Sequence, residues 1–478
     1  MVERIPRAST RPARVRRAAP ARPSMVEALA SSLGFEGERM SKVDTAWLRM
    51  DSEINHMMIL GVWILRPGIT LAALRERVRD RLLPYRRFVQ AAREDTTGAH
   101  WADDPDFDLE RHVSAHVLRR RRGESARSAL QARVGDLAML PLDRQHPLWS
   151  FELIEEHDGG SALIARIHHC IADGIALINV MMSLVDDDPA PHKPHQRHRP
   201  GREQDAAEAW LADTLIRPMG DLARLGTQLA SDLAALALMP DDTATSLKGQ
   251  PGGQKSVAWA EPVPLDEIKA VSKAMNCSVN DVLLSCAAGA LGRYLRQQGE
   301  DTEGVEIRVM VPVNLRPVAQ TRELGNHFGL VPLVLPVGMA HPLQRLFEVR
   351  RRMNALKGSL QPLLTFGLLS LAGLLVKPAQ DALLSLFSHK TTVVMTNVPG
   401  PAQKLTFCGA TLEQTMFWVP QTGTVGVGIS ILSYGGGVQF GMIADRALCA
   451  QPQAVIDGFR PELSQLLALS LMLPWGEA

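Results

Sequence analysis

Cysteine is scarce in this chain, and the few that occur exclude two common kinds of site. The 478 residues include five cysteines, Cys170, Cys277, Cys286, Cys408 and Cys449, which are scattered and never form a C-x-x-C pair. Structural zinc sites and disulfide frameworks both need cysteines at short or recurring spacings. We therefore expect neither kind of site, and unpaired thiols are typical of a reducing compartment.

Net charge is also nearly absent. Lys and Arg number 52 against 51 Asp and Glu, so the net charge is +1. Such a chain has no global field to attract nucleic acid, and we expect no nucleic-acid partner. Basic residues are concentrated only at the start, where residues 1–39 are predicted to form a disordered basic arm. A weak electrostatic contact with anionic lipid is an alternative role for that arm.

Apolar runs of the length that spans a bilayer, about 20 residues, are missing. The nearest, at residues 362–376, is ended by Lys377 and Pro378, and a second apolar piece follows at residues 382–387. Two interpretations stay open: a buried core helix, and a surface that dips into lipid.

Several catalytic signatures are missing as well. The chain has no G-x-S-x-G, G-x-x-x-x-G-K-[ST], G-x-G-x-x-G or H-E-x-x-H. Serine hydrolases, nucleotide triphosphatases, dinucleotide oxidoreductases and zinc proteases therefore lose their usual support. Since no covalent nucleophile stands out either, direct transfer between two bound substrates is favoured.

Alternating strand and helix patterns are present instead. Residues 57–66 predict a buried strand, and residues 70–83 predict an amphipathic helix. Two apolar runs at residues 151–156 and 161–167 are separated by His-Asp-Gly-Gly, which predicts a hairpin. Alternation of this kind indicates sheets covered by helices.

A change of composition divides the chain. Residues 186–205 are rich in proline, histidine and charge and have no apolar periodicity, so they are predicted to form a linker. The predicted domains are then an N-terminal one at residues 40–185 and a C-terminal one at residues 206–478. Two domains suit a chain of this length.

The strongest chemical signal is the run His-His-Cys-Ile-Ala-Asp-Gly, between a predicted strand and a predicted helix. A neutral imidazole can accept a proton from an attacking hydroxyl, so His169 is the candidate general base, while His168 is expected to pack. Asp173 is expected to be structural and to pair with Arg316. Gly174 serves either a sharp turn or a close approach of substrate. The competing interpretation is a pair of hydrogen-bonded core histidines.

This motif and several others resemble the wax ester synthase/acyl-CoA:diacylglycerol acyltransferase family, within the superfamily of CoA-dependent acyltransferases. The resemblance runs from about Ser41 to Phe459. HHxxxDG alone indicates only the superfamily, and the other motifs narrow it. They are residues 44–48, Pro-Leu-Asp at 141–143, Pro-Leu-Trp at 147–149, Val-Asn-Asp-Val at 279–282, Gly-Asn-His-Phe at 325–328, Asn-Val-Pro-Gly-Pro at 397–401, Ser-Tyr at 433–434 and Phe-Gly at 440–441.

The resemblance implies an α/β fold of two chloramphenicol-acetyltransferase-like domains, each a mixed sheet covered by helices, with a tunnel between them. His169 would deprotonate a fatty alcohol or diacylglycerol as it attacks acyl-CoA, giving a wax ester or triacylglycerol and free CoA. No cofactor or metal is implied. The protein would be a cytoplasmic monomer or homodimer that docks on a membrane or lipid-droplet surface.

Further site residues follow from the same resemblance. Asn280 is either an oxyanion donor or part of a structural Asn-Asp turn with Asp281, and Asp281 is expected to be structural. The expected substrate contacts are Trp149, Asn397, Pro399 and Gly400.

The chain departs from the family pattern at a few positions, and two other functions remain open. Cys170 replaces a small alanine and Lys248 replaces an asparagine, which affects the expected contacts to the acyl donor. One alternative is a condensation-type acyltransferase that takes its acyl group from a carrier protein. The other is a non-catalytic protein that coats lipid inclusions and has no need of His169.

Overall fold

The computed structural model describes most of the chain. The described residues are 38–95, 98–186, 238–315, 326, 328–356, 361–375 and 377–472. The predicted basic arm lies outside them apart from its last two residues, as do all but the first residue of the predicted linker, and Arg316.

The secondary structure alternates as the sequence predicts. The strands are β1 Glu38–Arg39, β2 Met58–Arg66, β3 Gln90–Asp95, β4 Gly98–Asp103, β5 Val113–Ala115, β6 Trp149–His157, β7 Gly160–His168, β8 Lys255–Trp259, β9 Val263–Pro264, β10 Ile307–Asn314, β11 Phe328–Leu335, β12 Val393–Pro399, β13 Thr406–Phe407, β14 Ala410–Trp418, β15 Val427–Tyr434 and β16 Gly437–Asp445. The helices are α1 Lys42–Met50, α2 Leu71–Arg81, α3 Leu109–His112, α4 Ala126–Ala138, α5 Gly174–Ser183, α6 Leu265–Ala274, α7 Val279–Gln297, α8 Pro342–Leu356, α9 Gln361–Ala372, α10 Lys377–His389 and α11 Pro452–Leu471.

The first large sheet has six strands in the order β13-β14-β2-β7-β6-β5. Only β5 and β6 run parallel, and the other neighbours are antiparallel. The predicted strand at residues 57–66 is β2, the predicted hairpin is β6–β7, and the predicted helix at residues 70–83 is α2, so these three predictions are confirmed.

The second large sheet has seven strands in the order β11-β10-β12-β15-β16-β8, with β9 also paired to β16. Strands β10, β12 and β15 run parallel, and the remaining pairs are antiparallel. A small antiparallel sheet, β1-β4-β3, lies apart from both. Two mixed sheets with helices packed on them confirm the predicted fold class.

The first sheet contains strands from both predicted domains. Strands β13 and β14, at residues 406–418, lie far beyond the predicted linker, yet β14 pairs with β2 and so belongs to the first sheet. The predicted C-terminal domain at residues 206–478 therefore supplies part of the sheet of the predicted N-terminal one. A boundary at residues 186–205 divides the sequence but does not separate the sheets.

Apolar packing also joins the halves. Each half has a large core of its own, and a third cluster unites Val62 and Ile164 of the first sheet with Val257 and Ile443 of the second. Full burial of such a side chain contributes about 1.5–3 kcal/mol. This shared core fixes the position of one sheet against the other. Residues from the two sheets can therefore form one site at their junction.

The elements that reach that junction are set by local sequence. Helix α1 begins after Ser41, whose hydroxyl accepts from the amide of Asp44, and α5 begins after Asp173, whose carboxylate accepts from the amide of Ala176. The apolar run that begins at residue 362 lies largely in α9, Gln361–Ala372, which packs on β11 and α1.

Candidate active site

The HHxxxDG segment forms the connection between β7 and α5. Strand β7 ends at His168, and the backbone amide of His169 donates to the carbonyl of Met57 at 2.7 Å. Asp173 ends the connection by capping α5, where its carboxylate accepts from the Ala176 amide at 2.9 Å. The loop is thus fixed at both ends by backbone hydrogen bonds, which gives the His169 side chain a defined direction.

The His169 imidazole is buried between aromatic rings and borders a cavity. It stacks on Trp47 with ring centroids 4.2 Å apart and lies 5.6 Å from the ring of Phe328. The ring is 3% exposed, and its Nδ1 is completely buried with no hydrogen-bond partner among the described residues. The ring also lines the cavity.

Burial decides the protonation state of His169. Removal from water lowers the pKa of the imidazole to about 4, and the carboxylate of Asp173 opposes this by favouring the charged form. At neutral pH the ring is therefore uncharged and has a free lone pair. The same carboxylate would stabilise the imidazolium that forms once a proton is taken up.

His168 is hydrogen-bonded to the backbone of the loop. Its Nδ1 accepts from the backbone amide of Cys170 at 3.1 Å, and burial lowers its pKa to about 3, against the pull of the Asp51 carboxylate. Burial raises the pKa of Asp51, but the His56 ring, whose Nδ1 lies 3.6 Å from the carboxylate, and the Met57 amide, which donates to it at 2.8 Å, outweigh burial and leave that pKa at about 2. This pairing of a neutral imidazole with the backbone keeps the loop in place, and His168 does not line the cavity.

Asn326 connects the active-site loop to α1. Its Nδ2 donates to the carboxylate of Asp44 at 2.7 Å and to the backbone carbonyl of His169 at 2.8 Å. Asn326 is 3% exposed and Asp44 is 6% exposed, so both bonds form in a region shielded from water. The amide thereby ties together the loop that holds His169 and the helix that carries its stacking partner, Trp47.

The cavity beside His169 lies between the two halves and has a volume of about 380 Å³. Its wall is mainly apolar and is built by α1, the start of α5, strands β10, β11 and β12, helices α9 and α10, and residues 417–425. Volume and lining are typical of a site for an apolar small molecule. The helices predicted from the apolar runs at residues 362–376 and 382–387 contribute to this wall.

Several predicted site residues meet at the cavity. Asp173, Gly174, Asn397 and Pro399 line it together with His169. Asn280 does not line it.

Asn280 and Gly400 lie just behind this wall. The Asn280 side-chain oxygen accepts from Nδ2 of Asn397 at 2.6 Å. Gly400 donates to the carbonyl of Ser433, where a Cβ would come within 2.5 Å of that oxygen, so close backbone approach requires glycine there.

Other predicted residues lie elsewhere. Trp149, an expected substrate contact, lies instead in the core of the first half, where it stacks on His112 at 4.7 Å and donates to the carbonyl of Phe88. Asp281 accepts from the Ser278 amide and closes a capping box at the start of α7. The predicted partner of Asp173, Arg316, lies outside the described residues.

Three further observations bear on the predicted chemistry. Among the described residues, no three His, Cys, Asp or Glu side chains lie where they could hold one metal ion. No helix within the described ranges is both long enough and apolar enough to cross a bilayer. All five cysteines are free, and burial raises the pKa of Cys170 well above its ordinary value.

Matches to family models cover both halves of this structure. Residues 40–283 match the model for the wax ester synthase/diacylglycerol acyltransferase catalytic domain, and residues 324–467 match the model for the WS/DGAT C-terminal domain. The chain belongs to the wax ester synthase/diacylglycerol acyltransferase family. It is accordingly an acyl-CoA-dependent O-acyltransferase, which excludes the non-catalytic coat protein considered above.

Relatives in this family are similar over nearly their whole length. The probable diacylglycerol O-acyltransferase tgs1 of Mycobacterium tuberculosis is 29% identical over 454 residues, which are 90% of this chain and 96% of the relative. A putative diacylglycerol O-acyltransferase of the same species, Rv3087, is 28% identical over 473 residues, covering 90% of this chain and 97% of the relative.

Solved structures share the fold. The wax ester synthase/diacylglycerol acyltransferase from Marinobacter aquaeolei VT8 superposes with a TM-score of 0.64 at 20% identity, over 91% of this chain and 100% of that one. The first condensation domain of the CDA synthetase gives a TM-score of 0.59 at 15% identity, over 92% and 97%. These likenesses concern the fold alone.

Sequence reasoning about this family member missed the residues that surround the base. Trp47 and Phe328 contact the His169 ring, and Asn326 holds its carbonyl, yet none was assigned a role. All three lie in segments that carry the family resemblance, residues 44–48 and 325–328. Aromatic and amide side chains in family motifs that lack an assigned chemistry were therefore the sequence feature that could have indicated these residues.

Proposed function

We propose that this family member transfers a long-chain acyl group from acyl-CoA to the hydroxyl of a diacylglycerol or fatty alcohol, with His169 as the general base. The observation that carries the proposal is a neutral imidazole, buried among aromatic rings, that lines a mainly apolar cavity. The products are a triacylglycerol or wax ester and free CoA.

The reaction needs one proton to be moved twice. Nε2 of His169 accepts the hydroxyl proton while the hydroxyl oxygen attacks the thioester carbonyl carbon. The tetrahedral intermediate then expels the CoA sulfur, and the imidazolium returns the proton to that thiolate. General-base assistance of this kind typically contributes about 10²–10⁴-fold to the rate.

Direct transfer is preferred because the neighbouring thiol is unsuited to attack. Cys170 is fully buried and lies outside the cavity wall, and burial holds its pKa well above the ordinary value, so the thiol stays protonated. A protonated and sealed thiol cannot form an acyl-enzyme. The acyl group therefore passes straight from sulfur to the acceptor oxygen.

A polar donor is also needed for the developing oxyanion. The amide of Asn397 lines the cavity, and its hydrogen bond to Asn280 orients it. We assign the donor role to Asn397 and a positioning role to Asn280. Loss of one donor of this kind costs about 10²–10³-fold in kcat.

The cavity lining supports a lipid acceptor. A mainly apolar cavity walled by α9 and α10 suits substrates that reside in lipid, and Leu374, between these helices, is 60% exposed. We further propose that the enzyme acts in the cytoplasm, peripherally on a membrane or lipid-inclusion surface, as a monomer or homodimer. The proposal requires no cofactor beyond the substrate acyl-CoA and no nucleic acid.

The test is an assay of purified protein with palmitoyl-CoA and either diacylglycerol or hexadecanol, in which thiol release and ester product are followed together. We expect equal amounts of thiol and ester from the parent. His169→Ala should lose about 10²–10⁴-fold, whereas Cys170→Ala, a matched change one residue away, should retain most of the activity.

Two outcomes would oppose parts of the proposal. Full activity in His169→Ala would remove the base, and loss in Cys170→Ala together with a trapped acyl-thiol would replace direct transfer by a covalent route. Activity with an acyl-carrier protein but not with acyl-CoA would favour the condensation-type alternative.

A further inference from the structure

A second, smaller cavity adjoins the one beside His169. It has a volume of about 100 Å³ and is lined by β2, β7, β14 and α5 of the first half and by β15 of the second sheet. Gly174 and Phe417 border both cavities. Both cavities therefore reach the first residue of α5, five residues after the proposed base.

One face of α5 forms a wall of this smaller cavity. Gly174, Leu177, Ile178, Met181 and Met182 all line it, and their spacing of three and four residues places them along one side of the helix. The wall runs for about 12 Å, since each helical residue advances the chain by about 1.5 Å.

The rest of the lining is suited to hydrocarbon. Within the part of the chain that the structure describes, no charged side chain borders the cavity. The hydroxyl of Tyr434 is occupied, because it donates to the carbonyl of Leu412 and accepts from the amide of Leu405, each at 2.8 Å. Two methionines at the far end add flexible side chains that adapt to irregular apolar ligands.

A Cβ atom at Gly174 would lie in open space. Apart from the two neighbouring residues and the backbone of α5 itself, no described atom lies within 4 Å of the position that a Cβ would take, and the backbone is outside the left-handed region. A larger residue would thus be compatible with the helix. Its side chain would enter open space at a position that borders both cavities.

We propose that the smaller cavity receives the far end of the alkyl chain of one lipid substrate, and that Gly174 is a specificity-determining residue that leaves its entrance open. This inference deepens the proposed function and rests on it for the identity of the substrates. The chain of the acyl donor and the chain of the acceptor alcohol share the required chemistry, and the experiment separates them.

Two variants narrow the cavity from opposite ends. Gly174→Val places a branched side chain at the entrance, and Met181→Phe fills the far end, about two helical turns from Gly174. Gly367→Val is the matched control, because Gly367 is an exposed helical glycine in α9 that also has open space around its Cβ position.

The first measurement is binding of fatty alcohols and acyl-CoAs of increasing chain length, followed as thermal stabilisation of the full-length protein. In the parent and in Gly367→Val, affinity should rise by about fourfold per methylene that becomes buried. For one of the two ligand series, the gain in affinity with chain length should end early in Gly174→Val. In Met181→Phe it should end at a chain length between that of Gly174→Val and that of the parent.

The second measurement is kcat/KM with one substrate held constant while the chain of the other is lengthened. The inference is supported when the loss in the two variants grows with the chain length of only one substrate, which names the occupant. Losses that are equal at every length, or binding curves that follow the parent, would overturn it. If the parent binds long chains as expected yet forms no ester, the proposed function fails and the cavity assignment stands.

Discussion

Substitution of Asn326 by aspartate tests whether this amide holds the active site together. Asn326→Asp keeps the size of the side chain but replaces a donor by an acceptor. The native Nδ2 lies 2.7 Å from the carboxylate of Asp44 and 2.8 Å from the carbonyl of His169, and an ionised carboxylate in its place would donate to neither. Two favourable contacts would become repulsive at a single buried position.

The introduced carboxylate can either stay ionised beside Asp44 or take up a proton, and the response that costs less free energy sets the loss of stability. Two carboxylates at the native distance of 2.7 Å repel by about 6 kcal/mol at an effective dielectric constant of about 20. Protonation of the introduced carboxylate at about pH 7.5 costs only about 5 kcal/mol, because the ordinary pKa of an aspartate is about 3.9 and each unit costs about 1.36 kcal/mol. Protonation therefore wins, and the pKa of the introduced aspartate is raised in the folded state.

The sign of the pH dependence follows directly. A raised pKa means that the folded protein binds the proton more tightly than the unfolded chain, so the variant loses stability as pH rises above about 4. The protonation cost falls from about 5 kcal/mol at about pH 7.5 to about 1.5 kcal/mol at about pH 5. Asn326→Ala, the control, loses the two hydrogen bonds at about 1–3 kcal/mol regardless of pH.

The assay is denaturant unfolding of the parent, Asn326→Asp and Asn326→Ala at several pH values, with kcat measured on the same samples. The difference between Asn326→Asp and the parent should shrink as pH falls, and kcat should recover in step. A difference that stays constant with pH, or an aspartate variant as active as the parent at about pH 7.5, would refute the assignment of Asn326.

Three further predictions concern the base and the second half. Trp47→Ala should lower kcat by about 10²-fold with little change in KM, because a displaced imidazole misses the reacting hydroxyl, and Trp47→Phe should restore most of it. Burial lowers the pKa of His169 from 6.5 to about 4. The unfolded chain therefore binds the extra proton first, and His169 alone should lower stability by up to about 3 kcal/mol between pH 6.5 and 4, with buried His168 adding a loss of the same sign. Unfolding midpoints unchanged over that range would contradict this. Glu462→Gln should cost about 3–5 kcal/mol in unfolding free energy, because Arg345, 1% exposed and paired with it, stays buried without its partner charge. Arg351→Ala removes an exposed ion pair with Glu348 and should leave the unfolding midpoint nearly unchanged.

The sequence by itself determined those strands, helices and turns that depend on interactions between residues close together in the chain. The hairpin β6–β7, strand β2 and helices α2 and α5 follow from apolar periodicity and turn residues, which act over a few positions. The position of His169 at a strand-to-helix junction was predictable for the same reason. Family resemblance added the reaction and the two mixed sheets.

Only the tertiary structure decided which distant residues meet. The sequence offered no sign that β14 completes the first sheet, that Trp47 stacks on His169, or that Trp149 packs in the core. These outcomes depend on how sheets and helices bury their apolar faces together, and that choice is made by contacts between residues hundreds of positions apart. The cavity and the open space at Gly174 arise in the same way, because a void is a property of the surrounding packing and not of any one segment.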